Sequence, residues 1–305
     1  MVIRTQLWDG RRVREPRAWS RGAGCVRLAS ISILAGLLLA VAVMSAGAER
    51  AQPCAVTAPL PPPPTPRPQY ALRVRVTPGL RVVSGTLTVT FQAPADQATD
   101  RLVFRLWPNG PAYASAGAHL SVSRIREAGR ALPVSDPDPT TLVVARPVTA
   151  GEQAMISMDW RLILPRQEGL RMKGGGRSVR LASFFPLLAW DGSAWALDPP
   201  TRLPSAEAST TPTADFDVRL TYPRGLQALA SGQRVGRSEW RARAVRDFTL
   251  ALGHFTIATG TAHVPALVHV TAGVEASPGA LPARVFLRRA ITSLQRYSSL
   301  YGAYP

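Results

Sequence analysis

Residues 70–92 read YALRVRVTPGLRVVSGTLTVTFQ, and this stretch decides the fold class. Apolar residues stand at every second position from Tyr70 to Val76 and again from Leu87 to Phe91. A period of two sends successive side chains to opposite faces of a strand, so each half predicts a strand with one buried face. The Pro78-Gly79 pair interrupts the pattern and predicts a turn between them.

The same alternation continues along the chain, with turn residues between the segments. Further strands are predicted at residues 101–106, 119–127, 141–145, 154–164, 216–222, 227–230 and 248–257. No long stretch between residues 70 and 260 shows a helical stripe of apolar residues. We therefore predict a mainly β domain over residues 70–260, built as a β-sandwich or a curved, saddle-like sheet.

The pattern changes after Gly260. His263–Ala272 predicts one more strand, and residues 280–301 predict a helix. Apolar residues recur there at three- and four-residue steps, at Ala283, Phe286, Leu287, Ala290, Ile291, Leu294, Tyr297 and Tyr301. A single helix with so wide an apolar face needs a partner layer. We therefore expect residues 261–305 to be the beginning of a second, incomplete domain.

The N-terminal part of the chain predicts a membrane segment. Residues 29–48 contain no charge and are about as long as a helix needs to cross a bilayer. Residues 1–28 carry seven arginines and two acidic residues, which predicts a cytoplasmic leader and an extracytoplasmic body. Residues 49–69 are rich in proline and predict an extended linker. Two interpretations remain open: a single-pass membrane anchor, or a signal peptide that is cleaved near Ala48 to release a secreted protein.

Charge and cysteine content exclude several classes of protein. The 36 Lys+Arg and 19 Asp+Glu residues give a net charge of +17, but charged residues are only 18% and hydrophobic residues 46%, unlike a disordered polyelectrolyte. Several arginines lie in the leader, the others are dispersed, and no nucleic-acid-binding motif accompanies them, so we predict no nucleic-acid partner. Cys25 and Cys54 flank the membrane segment and cannot pair with each other.

Three other features have both a structural and a functional interpretation. Asp215 and Asp217 share one face of a predicted strand, and we expect both to face solvent. Gly174-Gly175-Gly176 lies among basic residues, but it lacks the surroundings of a nucleotide loop and predicts a hairpin turn. The tryptophans could form a binding surface for a sugar or a peptide, or they could belong to the core, which we favour: Trp107, Trp160, Trp190, Trp195 and Trp240.

Several phrases occur in an order that resembles a known family. They are FRLWPN (104–109), LASFFPLLAWDG (181–192), DPP (198–200), ADFDV (214–218), VRDFTLALG (245–253) and LYGAYP (300–305). Together they resemble the N-terminal β-domain of the membrane alanyl aminopeptidase family of zinc metallopeptidases, the gluzincins, in its bacterial exported branch. The closing phrase is similar to the start of that family's thermolysin-like catalytic domain.

The resemblance implies zinc-dependent hydrolysis of N-terminal residues of peptides by the complete relative. The family's metal site needs two histidines four apart on one helix face, with a glutamate between them. This sequence has no His-Glu-x-x-His and no Gly-x-Met-Glu-Asn stretch, and its four histidines are His119, His254, His263 and His269. An unbroken strand would hold the last two about 20 Å apart, too far for one zinc ion. We therefore predict no catalytic, cofactor-binding or metal-binding residue here.

Two hypotheses follow. In the first, the chain is the non-catalytic N-terminal portion of an exported, membrane-anchored zinc aminopeptidase-like protein, with zinc and a peptide substrate belonging to the complete relative. The resemblance also implies a polar residue in the β-domain that helps to confine the N-terminal end of the substrate. No motif in this sequence marks its position, and Glu207 is the candidate. In the second, the chain is a stand-alone, membrane-tethered β-sandwich that binds a peptide, a glycan or an envelope partner.

Overall fold

The computed structural model describes residues 66–166, 171–199, 211–264, 266–275, 277 and 279–304. The predicted leader (1–28), the predicted membrane segment (29–48) and the linker up to residue 65 lie outside the described residues. None of the helices within the described ranges combines the length and the apolar character needed to span a bilayer. The location of the chain therefore stays a prediction.

Strands are the commonest kind of element among the described residues. In chain order they are β1 (Gln69–Val76), β2 (Val82–Gln92), β3 (Leu102–Arg105), β4 (His119–Glu127), β5 (Arg130–Ala131), β6 (Val134–Asp138), β7 (Thr141–Val144), β8 (Gln153–Ile163), β9 (Met172–Lys173), β10 (Val179–Leu181), β11 (Leu187–Leu188), β12 (Ala214–Thr221), β13 (Gln227–Ala230), β14 (Gln233–Gly236), β15 (Glu239–Val245), β16 (Leu250–Gly253), β17 (Phe255–Val264) and β18 (Ala266–Glu275). The helices are α1 (Pro111–Ala114), which follows a 3₁₀ turn at Trp107–Asn109, and α2 (Ala283–Tyr301). The prediction of a mainly β fold is confirmed.

Four sheets arrange these strands. The largest has eight strands in the order β14-β15-β12-β1-β2-β8-β4-β5, two sheets have four strands each, β13-β16-β10-β9 and β11-β3-β7-β6, and β17 pairs with β18. In the largest sheet β1 and β12 run parallel, with Gln69 opposite Asp215. All other neighbouring strands in this sheet pair in antiparallel orientation.

One hydrophobic core joins the eight-stranded sheet to both four-stranded sheets. Burial alternates strictly along β1, so Tyr70, Leu72, Val74 and Val76 point inward as the sequence predicts. The Tyr70 ring stacks on Phe216 with 4.7 Å between centroids, and its hydroxyl accepts a hydrogen bond from the Leu188 amide at 3.0 Å. Burial raises the pKa of Tyr70 far above its ordinary value, although the Leu188 amide opposes the shift.

Two strand predictions are wrong at the C-terminal end of the β-rich region. The strand predicted at 248–257 is divided at His254, where the chain leaves β16 and enters β17. Packing is tight at this point, because a Cβ added to Gly253 would lie 3.1 Å from the Ser178 Cβ.

The strand predicted at His263–Ala272 is instead the closed end of an antiparallel hairpin formed by β17 and β18. The sequence has Pro265 between the two strands, and a proline lacks the N–H that a continuous ladder requires. The segment after β16 therefore contains two strands and a helix, whereas the sequence predicts one strand and one helix. The predicted boundary at residues 260/261 falls within β17, and the division into two domains stays a prediction.

The C-terminal helix is confirmed, beginning at Ala283 after Pro282 at the N-cap. Its apolar face packs on the β17–β18 hairpin, where Leu287, Ala290, Ile291 and Leu294 contact the cluster of Ala262, Val264 and Val270. Two predicted face residues lie outside this contact, because Tyr297 and Tyr301 are 60% and 71% exposed. The hairpin is thus the partner layer that the helix requires.

Candidate functional site

The β17–β18 hairpin meets the β-domain at the turn between β9 and β10. This turn contains Gly174, Gly175 and Gly176, and the last two have φ of 81° and 66°. A Cβ on Gly174 would lie 2.5 Å from the Leu164 Cβ, so the turn also needs a glycine for space. The prediction of a hairpin turn at the three glycines is confirmed.

A polar cluster joins this turn to the end of β18. The Ser178 hydroxyl donates a hydrogen bond to the Glu275 carboxylate at 2.9 Å, and the Lys173 Nζ lies 3.8 Å from the same carboxylate. Burial lowers the pKa of Arg180, and the negative charge of Glu275 partly opposes that shift. Glu275 therefore compensates positive charge at the junction while it fastens the hairpin to the β-domain.

Glu275→Gln should loosen this junction. The substitution keeps the size of the side chain but removes the charge opposite Lys173 and Arg180, at a site where Glu275 is 21% exposed. We expect the free energy of local opening of the hairpin to fall by about 1–2 kcal/mol. Amide hydrogen exchange in β18 should show this change as faster exchange.

Glu239→Gln is the matched control. Glu239 pairs with Arg219 at 2.6 Å, but their side chains are 46% and 56% exposed, and exposed pairs contribute little to stability. Hydrogen exchange in β18 should be the same in this variant as in the wild type. Unchanged exchange in the Glu275→Gln variant would contradict the role of the cluster.

The histidines are placed differently from the sequence prediction. His119 begins β4, His254 lies between β16 and β17, and His263 and His269 lie on the two paired strands of the hairpin. The prediction that His263 and His269 share one strand is wrong, because the chain turns between them. No two histidines stand four apart on a helix within the described ranges, so these residues do not fit the zinc site of a gluzincin.

Asp215 and Asp217 share one face of β12, while Phe216 and Val218 enter the core as predicted. Asp217 is exposed and pairs with Arg241 and Arg243. Asp215 is not freely solvated, because its carboxylate accepts hydrogen bonds from the Ala244 amide at 2.8 Å and the Arg67 guanidinium at 3.2 Å. Burial raises the pKa of Asp215, but these partners outweigh it and hold the pKa below its ordinary value. Both carboxylates therefore have structural partners.

The tryptophans belong to the core and its margin rather than to a binding surface. Trp107, Trp160, Trp190 and Trp240 are at most 8% exposed. Trp195 is half-buried, lies edge-on to Trp190 with 4.9 Å between centroids, and donates a hydrogen bond to the Thr99 hydroxyl at 2.8 Å. The core interpretation of these residues is confirmed.

Glu207, the candidate for confining a substrate, lies outside the described residues. In the part of the chain that the structure describes, no group of three or more His, Cys, Asp or Glu side chains could hold a metal ion. The junction cluster was not predicted from the sequence. Its members, Lys173, Ser178 and Glu275, are single polar residues that form no sequence motif. Their spacing therefore does not predict that a hairpin brings Glu275 to Ser178.

Four of the six phrases that resemble the aminopeptidase family contribute phenylalanines to the core. Five phenylalanines from four of these phrases are fully buried: Phe104, Phe184, Phe185, Phe216 and Phe248. Phe185 lies 6.0 Å from Phe216, and Phe216 lies 6.3 Å from Phe248, between ring centroids. The phenylalanines of these four phrases therefore take part in the packing between the sheets.

No protein-family model matches the chain, and no curated protein matches it. Among solved structures, the M1 zinc metallopeptidase from Deinococcus radiodurans matches 81% of this chain at 18% sequence identity, with a TM-score of 0.51. The chain has the fold of an M1 aminopeptidase N-terminal domain. The resemblance found in the sequence is thus confirmed at the level of the fold.

Further structures show the same M1 aminopeptidase fold. A two-domain M1 zinc metallopeptidase bound to L-arginine matches 78% of this chain at 18% identity, with a TM-score of 0.50. The same kind of protein bound to L-tryptophan matches 81% of this chain at 18% identity and the same TM-score of 0.50. The chain spans 56% of the length of the Deinococcus radiodurans protein and 54% and 57% of the other two.

Proposed function

We propose that this chain is the non-catalytic N-terminal portion of an exported, membrane-anchored zinc aminopeptidase-like protein. The observation that carries the proposal is the likeness of 81% of this chain to the M1 zinc metallopeptidase from Deinococcus radiodurans. In this proposal residues 29–48 anchor the protein in the membrane, and the body lies on the extracytoplasmic side.

The complete protein would hydrolyse N-terminal residues of peptides with one zinc ion. The metal would activate water and polarise the scissile carbonyl. This chain contains no His-Glu-x-x-His, so we assign that chemistry to none of its residues. Its own contribution is structural. The β-domain supplies a body with one hydrophobic core, and the Ser178–Glu275 hydrogen bond joins the hairpin to it.

The full chain should hydrolyse no aminoacyl-nitroanilide. Purified protein with added Zn²⁺ should release nitroaniline at the rate of the buffer alone, because the chain lacks the His-Glu-x-x-His motif that supplies both the metal ligands and the general base. A zinc aminopeptidase measured in the same assay gives the positive control. Hydrolysis that a chelator abolishes would contradict the proposal.

The nucleotide sequence after codon 305 separates this proposal from the second hypothesis. Under our proposal, one of the three reading frames encodes His-Glu-x-x-His at a short distance downstream. A frame that continues the chain without this motif, together with no motif in the other two frames, would favour a stand-alone, membrane-tethered binding module.

A further inference from the structure

Two of the four histidines are brought together by the β17–β18 hairpin. His263 lies opposite Leu267, and His269 lies opposite Thr261 in the antiparallel register. His263 and His269 are therefore diagonal neighbours across the two strands. Diagonal neighbours lie about 7–8 Å apart, with their Cβ atoms somewhat closer. The turn thus replaces the separation of about 20 Å expected for one strand with a distance that two imidazoles can bridge.

Both histidines lie on the same, solvent-exposed face of the hairpin. Residues two apart on a strand share a face, so His263 shares one with Thr261, and His269 with Leu267. His263 and His269 are exposed, and Leu267 is 63% exposed. Within the described residues neither imidazole has a hydrogen bond or an ion pair, so both are available to a ligand.

The opposite face of the hairpin is held by α2. Ala262 and Val264 flank His263 in sequence and are buried against the helix, which fixes the direction in which the His263 side chain leaves the strand. Gly260 allows a close approach of the helix, because a Cβ there would lie 3.1 Å from the Ile291 Cδ1. A two-stranded ribbon alone would be marginally stable, but this one is backed by a helix and presents its face rigidly.

We propose that His263 and His269 form a two-histidine binding site for a divalent late transition-metal ion. Neutral imidazole is a good ligand for Cu²⁺, Ni²⁺ and Zn²⁺, and Cu²⁺ binds most tightly in this series. Two nitrogen ligands leave the other coordination positions to water or to an external ligand. The site differs from the gluzincin motif, since its ligands come from paired strands instead of one helix, and it is independent of the proposed function.

Copper titration of the full chain, prepared without a histidine tag, tests the site. We expect one Cu²⁺ per chain bound through nitrogen ligands, detected by calorimetry and by electron paramagnetic resonance. His263→Ala and His269→Ala should each weaken this binding by about a hundredfold, because the remaining imidazole loses the advantage of a second linked ligand.

The other two histidines provide the matched control. His119 and His254 are also exposed, but they lie on separate parts of the chain. The double variant His119→Ala/His254→Ala should bind Cu²⁺ within about twofold of the wild type. Circular dichroism should show all variants folded, because the substituted side chains are exposed.

Two results would overturn the proposal. One is equal loss of Cu²⁺ binding in the control variant and in the variants of the pair. The other is unchanged binding in the double variant His263→Ala/His269→Ala, which would place the metal elsewhere. Neither result bears on the aminopeptidase proposal, which rests on hydrolysis and on the downstream coding sequence.

Discussion

Replacing Phe185 with alanine should lower the free energy of unfolding by about 3–5 kcal/mol. Phe185 is fully buried where the eight-stranded sheet meets the smaller sheets, and its ring lies 4.9 Å from Phe184, 6.0 Å from Phe216 and 6.2 Å from Tyr70 between centroids. Truncation removes apolar contact area and leaves a cavity that these rigid aromatic neighbours cannot fill. Urea denaturation followed by tryptophan fluorescence measures the change.

Met155→Ala controls for the loss of a large apolar side chain. Met155 lies on β8 and is 54% exposed, so its truncation leaves no buried cavity. We expect the free energy of unfolding to change by less than about 0.5 kcal/mol. If the two variants had the same stability, Phe185 would not lie at the centre of a single core.

Gly85→Ala should be nearly as destabilising, with a loss of about 3 kcal/mol. Gly85 lies in the middle of β2, opposite Val74 of β1 and Trp160 of β8. A Cβ there would overlap the carbonyl oxygen of Arg73 and lie 3.0 Å from the Trp160 Cζ2. Because the first of these atoms is backbone, the β1–β2 pairing must open to admit even one methyl group.

Gly79→Ala is the corresponding control. Gly79 lies in the turn before β2, and a Cβ there would meet no atom within 4 Å. Thermal unfolding should occur within about 2 °C of the wild type for this variant. A wild-type unfolding temperature for the Gly85→Ala variant would show that β1 and β2 are not paired as described.

Local pattern was sufficient for most of the β-rich region. The alternation in β1 predicted which side chains enter the core, and β4 and β13 have the predicted bounds, His119–Glu127 and Gln227–Ala230. These predictions succeed because side-chain direction in a strand depends on sequence position alone.

Long-range pairing could not be read from the pattern. The parallel pairing of β1 with β12 places Gln69 opposite Asp215. Neither strand has a sequence feature that predicts which strand it pairs with. The pattern predicts one strand at His263–Ala272, where the chain instead turns from β17 into β18, since alternation continues on both sides of Pro265. That error also separated His263 from His269, so the histidine pair became visible only in the folded chain.

The amino-acid sequence by itself determined that this chain is mainly β, which side chains of β1 are buried, that Phe216 and Val218 of β12 enter the core, and that a helix with an apolar face follows the strands. The tertiary structure decided which strands pair, where Glu275 meets Ser178, and which two histidines become neighbours. The physical reason is that burial follows a local period of two, whereas strand pairing depends on contacts between residues distant in sequence.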